Sequence, residues 1–403
     1  MNILVISNLY PPYARGGAEL IAARLTHELY GRGHRVTIFS TMPYGGLHTL
    51  FPAVVERHIG TVYRFFPLNF YHSLDDHTRT IFIRALWHLI DLFSPFPALA
   101  IRRLLTELRP DVVITHNLKG IGLQIVREIR LAHVRHLHVL HDVQLSIPSG
   151  LLVYGKEYRW FGRSPIRELY EYFVKRAVGS PDVVISPSKF LMDFHLARGF
   201  FSRSIHCVLP SPAPTFTTRP ITPRVKGPLR LLFAGQLERH KGIIFLMDTL
   251  QASGLDFELH IAGDGALIQD VQKRSKLDSR IFYHGFVNFR NLLHLLEASD
   301  AVVVPSLCYE NSPTILYEAF QSGTPVIASD IGGIGELMSN GNNGYLFKPC
   351  DTKALIDILR IFSSTPDLFR SRAEEIRKTM EQYRLEAYVD KLLRLANDHS
   401  SNV

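Results

Sequence analysis

Residues 304–333 read Val304-Pro-Ser-Leu-Cys-Tyr-Glu310-Asn-Ser-Pro-Thr-Ile-Leu-Tyr-Glu318-Ala-Phe-Gln-Ser-Gly-Thr-Pro-Val-Ile-Ala-Ser-Asp-Ile-Gly-Gly333, and this stretch decides the fold. The apolar run 301–304 before it predicts a buried strand. Residues 313–321 predict a helix that Ser312 caps and that a proline begins. The apolar run 325–328 predicts the next strand. A strand, a helix and a strand in this order indicate one unit of a parallel α/β sheet.

Two carboxylates flank the predicted start of this helix. The backbone N–H groups of Thr314 and Ile315 form an anion site suited to a diphosphate. Glu318, on the first turns, can accept hydrogen bonds from two ribose hydroxyls, and Glu310, in the loop, can reach the hydroxyls of a second ring. A lone glutamate is usually a solvated surface residue. Two of them at the carboxyl end of a strand, where open α/β sheets bind ligands, favour a nucleoside-diphosphate sugar.

The same alternation of strands and helices runs through the rest of the chain. Apolar runs predict further strands at 2–7, 35–40, 111–115, 136–140, 182–186, 229–234 and 257–262. Helical periodicity predicts helices at 18–30, from 242 and at 266–276, with further helical stretches between the strands. The predicted fold class is α/β, with two Rossmann-like doubly wound domains.

The predicted domain boundaries follow the prolines. Residues 1–208 form the first domain, and 209–228, with six prolines, form a semi-rigid linker. Residues 229–380 form the second domain. A helical tail at 381–403 is expected to return to the first domain.

Composition limits the class of protein. The chain has 403 residues, of which 46% are hydrophobic and 20% charged, so it can bury large cores and is not a disordered or disulfide-scaffold protein. Its three cysteines are far apart and form no zinc or disulfide pattern, which favours a reducing compartment. Asn8 and two prolines interrupt the apolar start too early for a signal peptide. The segment 81–101 carries charges and prolines that a spanning helix does not tolerate.

The net excess of positive charge is confined to the first half of the chain. Residues 1–220 hold 25 Lys and Arg against 15 Asp and Glu, and residues 221–403 hold 20 against 22. Such an imbalance suits an anionic partner such as a membrane surface, a phosphorylated lipid or nucleic acid. A merely basic surface explains the composition equally well. No nucleic-acid reading motif is present, and nucleic acid is not an expected partner.

The sequence resembles the retaining glycosyltransferases of family 4, which have the GT-B fold of two Rossmann-like domains facing each other across a cleft. The family hallmark, Glu-x7-Glu followed by Ala-x-x-x-Gly-x-Pro-Val-Ile-Ala, matches Glu310, Glu318 and the residues up to 328. Further matching segments lie in the family's order along nearly the whole chain, at Pro11–Glu19, Gly33–Val36, Leu140–Asp142, Ala234–Gly242 and Ala262–Gly265.

The resemblance implies a role for each matching residue. Lys241 should contact the diphosphate and stabilise the leaving nucleotide, and His141 should lie beside the sugar near its anomeric carbon. Glu310 should hold the transferred sugar and Glu318 the ribose. The expected donor-binding residues are Gly16, Gly17, Arg239, Lys241, Ser312, Thr314, Ile315 and Glu318. Without the resemblance, the two glycines would indicate an ordinary turn and His141 a hydrogen-bonded histidine at a strand end.

The sequence departs from the family at one position. The family usually has Gly-Arg where this chain has Gly235-Gln236, so Arg239, His240 or Lys241 alone must take over the phosphate contact. No Asp-x-Asp pair is present to hold a divalent ion, so the expected mechanism uses no metal and no cofactor besides the donor. Because no nucleophile is evident, front-face transfer through an oxocarbenium-like state is favoured over a covalent intermediate.

The acceptor is expected to bind the first domain. The segment 81–105 mixes aromatic and aliphatic residues with Arg84, Arg102 and Arg103, which suits a helix at an anionic membrane interface. An ordinary buried helix pair is the alternative. The resemblance implies a lipid-linked or polysaccharide acceptor and a cytoplasmic enzyme of EC class 2.4, peripheral on the inner face of the membrane and active in cell-surface polysaccharide or lipopolysaccharide biosynthesis. The alternative function is a catalytically inactive nucleotide-binding scaffold. A nicotinamide enzyme is disfavoured because no Gly-x-Gly-x-x-Gly is present.

Overall fold

The structure, a computed structural model, describes residues 1–14, 16–56, 59–157, 164–217, 227–365 and 367–398, without the side chains of residues 77 and 78. The chain forms two compact units. Unit 1 comprises Met1–Leu151, Tyr158–Ser211 and Leu385–Val403, and unit 2 comprises Leu152–Glu157 and Pro212–Arg384.

Unit 1 is built on a mostly parallel sheet. Within the described residues its strands are β1 (Asn2–Ile6), β2 (Arg35–Thr41), β3 (Ala53–Glu56), β4 (Thr61–Phe65), β5 (Val112–Thr115), β6 (Arg135–Val139), β7 (Val183–Ser186) and β8 (Ile205–Val208). Their order across the sheet is β3-β4-β2-β1-β5-β6-β7-β8, and β3 runs antiparallel to β4 while the other pairs are parallel. β1, β5, β6 and β7 are buried because both faces of a parallel sheet are covered by helices.

Helices cover the sheet of unit 1, and two of them begin at serine N-caps. Up to residue 211, the described helices are α1 (Gly17–Gly31), α2 (Ile81–Phe93), α3 (Phe96–Leu108), α4 (Ile125–Leu131), α5 (Pro165–Val178) and α6 (Lys189–Leu196). Ser164 caps α5 by accepting a hydrogen bond from the N–H of Ile166, and proline is the first helical residue. Ser188 caps α6 in the same way through the N–H of Leu191.

Unit 2 contains a parallel sheet with the Rossmann strand order. Its strands, as far as the structure describes the chain, are β9 (Leu229–Ala234), β10 (Phe257–Ala262), β11 (Ile281–Gly285), β12 (Ala301–Val304), β13 (Val326–Ser329) and β14 (Gly344–Phe347). The order β11-β10-β9-β12-β13-β14 places the third strand of the unit at one edge and reverses between β9 and β12. Ligands bind at such a reversal in open α/β sheets. The prediction of two doubly wound α/β domains is therefore confirmed.

Helices cover the sheet of unit 2, and the last helix returns to unit 1. In the described residues, the helices that cover this sheet are α7 (Ile243–Ser253), α8 (Ile268–Leu277), α9 (Phe289–Ala298), α10 (Thr314–Ser322), α11 (Thr352–Ser364) and α12 (Ala373–Lys378). The final helix, α13 (Leu385–Asn397), belongs to unit 1, where Tyr388, Val389 and Leu392 are buried in the core beneath α1 and β6. Arg32 on α1 forms an ion pair with Asp390 on α13.

Unit 1 extends to Ser211, unit 2 runs from Pro212 to Arg384, and unit 1 resumes at Leu385, whereas the sequence predicts domain bounds at 208, 229 and 381. One internal segment differs as well. Leu152–Glu157 belongs to unit 2, although the sequence places it inside the first domain. The reason is a short pairing with the loop that follows β12, which composition does not encode. Of the predicted linker, residues 218–226 lie outside the described residues. No described helix is long and apolar enough to cross a membrane.

Candidate active site

Two loops of unit 2 meet at the point where its strand order reverses. β9 and β12 are neighbouring parallel strands, so the loops that follow them leave the same edge of the sheet. The loop after β9 carries Lys241 on a short 3₁₀ turn, Arg239–Lys241, and the loop after β12 carries Glu310. The two residues are 69 positions apart in the sequence.

Lys241 and Glu310 form a largely buried ion pair. The Nζ atom of Lys241 donates to Oε1 of Glu310 at 2.6 Å, and their side chains are 25% and 13% exposed. The same oxygen accepts from Oγ of Ser306 at 2.9 Å and from Sγ of Cys308 at 3.4 Å. Three donors therefore converge on one carboxylate oxygen and fix the position of Glu310.

Both members of the pair are charged near neutral pH. Burial alone would raise the pKa of Glu310, but the Lys241 charge and the three hydrogen bonds outweigh burial and lower it. Burial alone would lower the pKa of Lys241, but the Glu310 carboxylate outweighs burial and raises it. The site thus presents a cation and an anion in contact, a pair that a bound phosphate can reorganise.

Glycines let the backbones of neighbouring loops come into contact here. Gly242, with φ +77°, lies so close to the loop after β12 that a Cβ atom would be 1.9 Å from the carbonyl oxygen of Pro305. A Cβ on Gly332, with φ +65°, would be 2.1 Å from the carbonyl oxygen of Glu310, which also accepts from the N–H of Gly333 at 2.7 Å. A side chain at either position would push the Glu310 loop away.

The start of α10 corrects one sequence prediction. The sequence predicts Ser312 as the N-cap and Pro313 as the first helical residue, but the helix begins at Thr314 and Pro313 is the N-cap. Pro313 has ψ 125°, an extended conformation, so the helix starts one residue later than predicted. Oγ of Ser312 instead shares a hydrogen bond of 2.7 Å with Oη of Tyr317.

The predicted binding groups remain on this helix. The N–H groups of Thr314 and Ile315 lie in its first turn, where backbone donors have no partner inside the helix. Glu318 is half-buried in the next turn. Arg239, the predicted substitute for the missing family arginine, is exposed on the 3₁₀ turn next to Lys241.

The sequence does not predict that the segment Leu152–Glu157 forms hydrogen bonds with the loop that carries Glu310. The N–H of Tyr154 donates to the carbonyl oxygen of Leu307 at 2.8 Å, and the N–H of Tyr309 donates to that of Leu152 at 2.9 Å. The hydroxyl of Tyr309 also donates to the Glu157 carboxylate at 2.9 Å. The continuous apolar run at 151–154 is the signal that the sequence offers, and it does not identify the pairing partner.

The other predicted site residues belong to unit 1. Gly16 is the N-cap of α1, and its N–H donates to Oε2 of the buried Glu19 at 2.8 Å. Gly17 is the first residue of the helix. The resemblance implies that Gly16 and Gly17 let the backbone approach the donor phosphates, and in the structure the amide of Gly16 is paired with the Glu19 carboxylate.

His141 follows β6 and contacts a second histidine. Its Nε2 lies 2.9 Å from Nδ1 of His116, which follows β5. Burial lowers the pKa of His141 to about 4. Both residues line a pocket of unit 1 together with Lys119, Asp142 and Gln144. In the described residues, no group of three or more His, Cys, Asp or Glu side chains is placed to hold a metal ion.

Proteins of known structure share this fold. Sucrose-phosphate synthase from Thermosynechococcus elongatus matches with a TM-score of 0.74 and 19% identity, over 98% of each chain. Anabaena Alr3699/HepE, solved in complex with UDP, matches with a TM-score of 0.71 and 18% identity, over 98% of this chain and 99% of that one. The molecule therefore has the GT-B glycosyltransferase fold.

The family follows from the sequence matches. A family model described as Glycosyltransferase Family 4 matches residues 15–211, and one described as Glycosyl transferases group 1 matches residues 228–363. The chain belongs to this family of glycosyltransferases, as the motifs predict. It is 26% identical over 338 residues to an uncharacterized 42.6 kDa protein in the cps region of Klebsiella pneumoniae, covering 84% of this chain and 87% of that protein. It is 27% identical over 399 residues to a glycogen synthase of Mycobacterium tuberculosis, covering 94% and 90%.

Proposed function

We propose that this protein transfers a sugar, with retention of configuration, from a nucleoside-diphosphate sugar to a glycan or glycolipid acceptor. The observation that carries the proposal is the Lys241–Glu310 pair at the strand reversal of unit 2, beside the start of α10. The site offers a cation, backbone donors and carboxylates for the phosphates and hydroxyls of such a donor. HepE, which shares the fold, has been solved with UDP and with UDP-glucose, which supports this donor class.

Donor binding is assigned to unit 2 and to the start of α1. Lys241 and the N–H groups of Thr314 and Ile315 hold the diphosphate, with Arg239 as an outer cation and Ser312 at the entry to the helix. Glu318 accepts the ribose hydroxyls. Gly16 and Gly17 allow close approach of a phosphate to the start of α1. Because Glu310 already occupies Lys241, the incoming diphosphate competes with this carboxylate for the lysine.

Catalysis is assigned to Glu310, His141 and Lys241. Glu310 accepts hydrogen bonds from the transferred sugar, and His141 lies beside the anomeric carbon. Lys241 and the start of α10 stabilise the negative charge of the departing nucleoside diphosphate, so transfer needs neither a divalent metal nor a cofactor. The bond between the anomeric carbon and the phosphate oxygen breaks, and the oxygen of the acceptor hydroxyl bonds to that carbon on the same face, which gives retention. The proton of this hydroxyl passes to the departing phosphate oxygen.

Cell-surface polysaccharide or lipopolysaccharide synthesis at the cytoplasmic face of a membrane is the proposed setting. The similar Klebsiella protein belongs to the cps region, and a putative colanic acid biosynthesis glycosyltransferase of Salmonella typhimurium, WcaL, is 25% identical over 270 residues. Both names support a polymeric glycan as the acceptor.

The structure changes the proposed membrane contact. Arg84, Arg102 and Arg103, predicted to face anionic lipid, form ion pairs with Asp76, Glu128 and Glu107 at 3.2, 2.7 and 2.7 Å. The exposed apolar side chains of α2 are therefore the stronger candidates for lipid contact, and Phe82 is 80% exposed. We define the α2 apolar face as Ile81, Phe82, Ile83, Leu86, Leu89 and Phe93.

A nucleotide-sugar screen tests the proposed function against the inactive scaffold. UDP-, GDP-, ADP- and dTDP-sugars are compared by thermal shift, and the best binder is followed by NMR for slow hydrolysis and for transfer to glycan acceptors. We expect one nucleotide to stabilise the protein and the released or transferred sugar to keep its anomeric configuration. Binding without hydrolysis or transfer on any acceptor would identify a scaffold, and an inverted product would overturn retention.

A further inference from the structure

His116 lies in a position that only tertiary structure creates. It follows β5, its backbone N–H donates to the carbonyl oxygen of Ile6 at 2.8 Å, and its side chain is fully buried. The neighbouring strand β6 carries His141 at its carboxyl end. The Nδ1 atom of His116 lies 2.9 Å from Nε2 of His141, and the two rings stack with centroids 5.2 Å apart.

A hydrogen bond between two imidazoles links their tautomers. Burial keeps the pKa of both histidines well below neutral, so each ring carries one proton at pH 7. If Nδ1 of His116 carries its proton, Nε2 of His141 accepts, and the proton of His141 must be on Nδ1. If His116 carries its proton on Nε2, the assignment is reversed on both rings.

The second nitrogen of His116 decides between these two arrangements. Within the described part of the chain, Nε2 of His116 is buried and has no hydrogen-bond partner. An unpaired buried N–H is rarer in proteins than an under-satisfied acceptor. The proton of His116 therefore belongs on Nδ1, from which it donates to His141.

We propose that His116 is a positioning residue that fixes the ring orientation of His141 and holds the proton of His141 on Nδ1. The sugar-facing role of His141 rests on the proposed function, but the tautomer does not. With its ring held by His116, His141 offers a hydrogen-bond donor of fixed direction. Without the donor of His116, Nε2 of His141 can carry the proton instead, and that tautomer lacks the donor at Nδ1.

The test combines nitrogen NMR with kinetics. Ring-nitrogen correlation spectra of the full-length protein, with His141 assigned by its loss in His141→Gln, should show Nδ1 protonated and Nε2 unprotonated. In His116→Phe, both nitrogens should move towards intermediate shifts. With the nucleotide sugar found in the screen, kcat of His116→Phe should fall about 10- to 100-fold at a nearly constant KM for that sugar. This is the effect expected when the hydrogen-bond donor of His141 is in the wrong tautomer. His116→Asn, whose amide can replace the Nδ1 donor, should restore most of kcat and the His141 spectrum.

His136→Asn is the matched control, because His136 is also buried but contacts Thr115 rather than His141. This variant should leave the His141 spectrum unchanged. The proposal is overturned if wild-type His141 carries its proton on Nε2. It is also overturned if His116→Phe, or His116→Leu should the first variant not fold, leaves the His141 spectrum and kcat unchanged. Normal turnover of His141→Gln would refute the catalytic role of His141 and leave the tautomer result standing.

Discussion

Glu318 is half-buried on α10, a short distance beyond the N–H groups proposed to hold the diphosphate. Because a carboxylate that accepts hydrogen bonds from two hydroxyls forms charge-assisted bonds, Glu318→Ala should weaken binding of the free nucleotide by about 2–3 kcal/mol. Isothermal titration calorimetry measures this directly. Gln321→Ala on the same helix is the control, and an unchanged affinity in Glu318→Ala would remove Glu318 from the ribose site.

Glu310 should behave differently from Glu318, because it is proposed to hold the sugar rather than the nucleotide. Glu310→Gln should lower kcat about 100-fold or more, and His141→Ala should do the same. Nucleotide affinity of Glu310→Gln should stay constant or rise, since Lys241 loses the carboxylate that competes with the diphosphate. If a variant of either residue keeps near-normal turnover, that residue has no catalytic role.

Lys241 is proposed to replace a metal ion at the leaving group. Transfer rates should be the same with EDTA as with added magnesium or manganese, and Lys241→Met should lower kcat about 100-fold or more in all three conditions. Arg239→Met is the matched control, because this neighbouring cation is exposed and should have a smaller effect. Strict dependence on added metal would contradict the mechanism.

At the scale of elements, α2 differs from its neighbour α3. α3 buries Ile101, Leu104 and Leu105, whereas α2 leaves most of its apolar residues in solvent. Exposed contiguous apolar surface of this kind is typical of a contact with a membrane or another protein. The alternative of two ordinary buried helices therefore describes α3 better than α2.

Liposome co-sedimentation tests the α2 apolar face. Phe82→Ser/Leu86→Ser should reduce binding to anionic vesicles strongly, because burying apolar side chains in the interface contributes most of the free energy. Arg102→Gln/Arg103→Gln is the matched control and should have the smaller effect, because both arginines are already paired within the protein. Equal binding of the wild-type protein to neutral and anionic vesicles at low salt would contradict an electrostatic contribution. No binding to either would refute membrane association.

The loops of the candidate site show how neighbouring elements act on one another. Leu152–Glu157 lies far in sequence from the loop after β12, yet its backbone hydrogen bonds hold residues on both sides of Cys308. Glycines at 242 and 332 allow the loops after β9 and β13 to close on the same segment. The position of Glu310 is therefore set by three separate parts of the chain.

At the scale of the whole molecule, the buried histidines of unit 1 predict acid sensitivity. Burial lowers the pKa to about 4 for His72 and His195 and to about 3 for His136. The unfolded chain takes up a proton on each below pH 6.5, while the folded chain does not. Each histidine therefore contributes stability that is complete above about pH 6.5 and is lost as the pH falls towards 4, by roughly 1.4 kcal/mol per pH unit.

Two buried carboxyls act in the opposite direction. Burial raises the pKa of Asp91 to about 7 and that of Asp142 to about 6, so their contributions are lost as the pH rises through those values. Because the histidines outnumber these carboxyls, the urea concentration at the unfolding midpoint should decrease as the pH is lowered from 6.5 to 4.5. Thr115→Val removes a hydroxyl that hydrogen-bonds both His136 and His138, and because these buried rings lose a partner, it should lower the urea midpoint throughout this pH range. A midpoint constant over this range would contradict the neutral state of these histidines.

Local sequence determined much of the fold. The buried strands β1, β5, β9 and β12 were recognised within a residue or two because fully buried parallel strands are continuous apolar runs. The sequence does not predict the edge strands β3, β8, β11 and β14 or β4, the neighbour of β3, because none of them is the fully buried apolar run typical of a central parallel strand. The helix start at Ser312 was misplaced by one residue because capping propensity does not report the backbone angle of the following proline.

The sequence by itself determined the class of fold, the family and the candidate site residues, because apolar runs, glycines and motif spacing are properties of short segments. Only the tertiary structure decided that Lys241 contacts Glu310, that His116 contacts His141 and that Leu152–Glu157 braces the site. Each of these contacts joins residues on different strands or loops. Which strands become neighbours is set by the burial of all the strands and helices together, and no short segment contains that information.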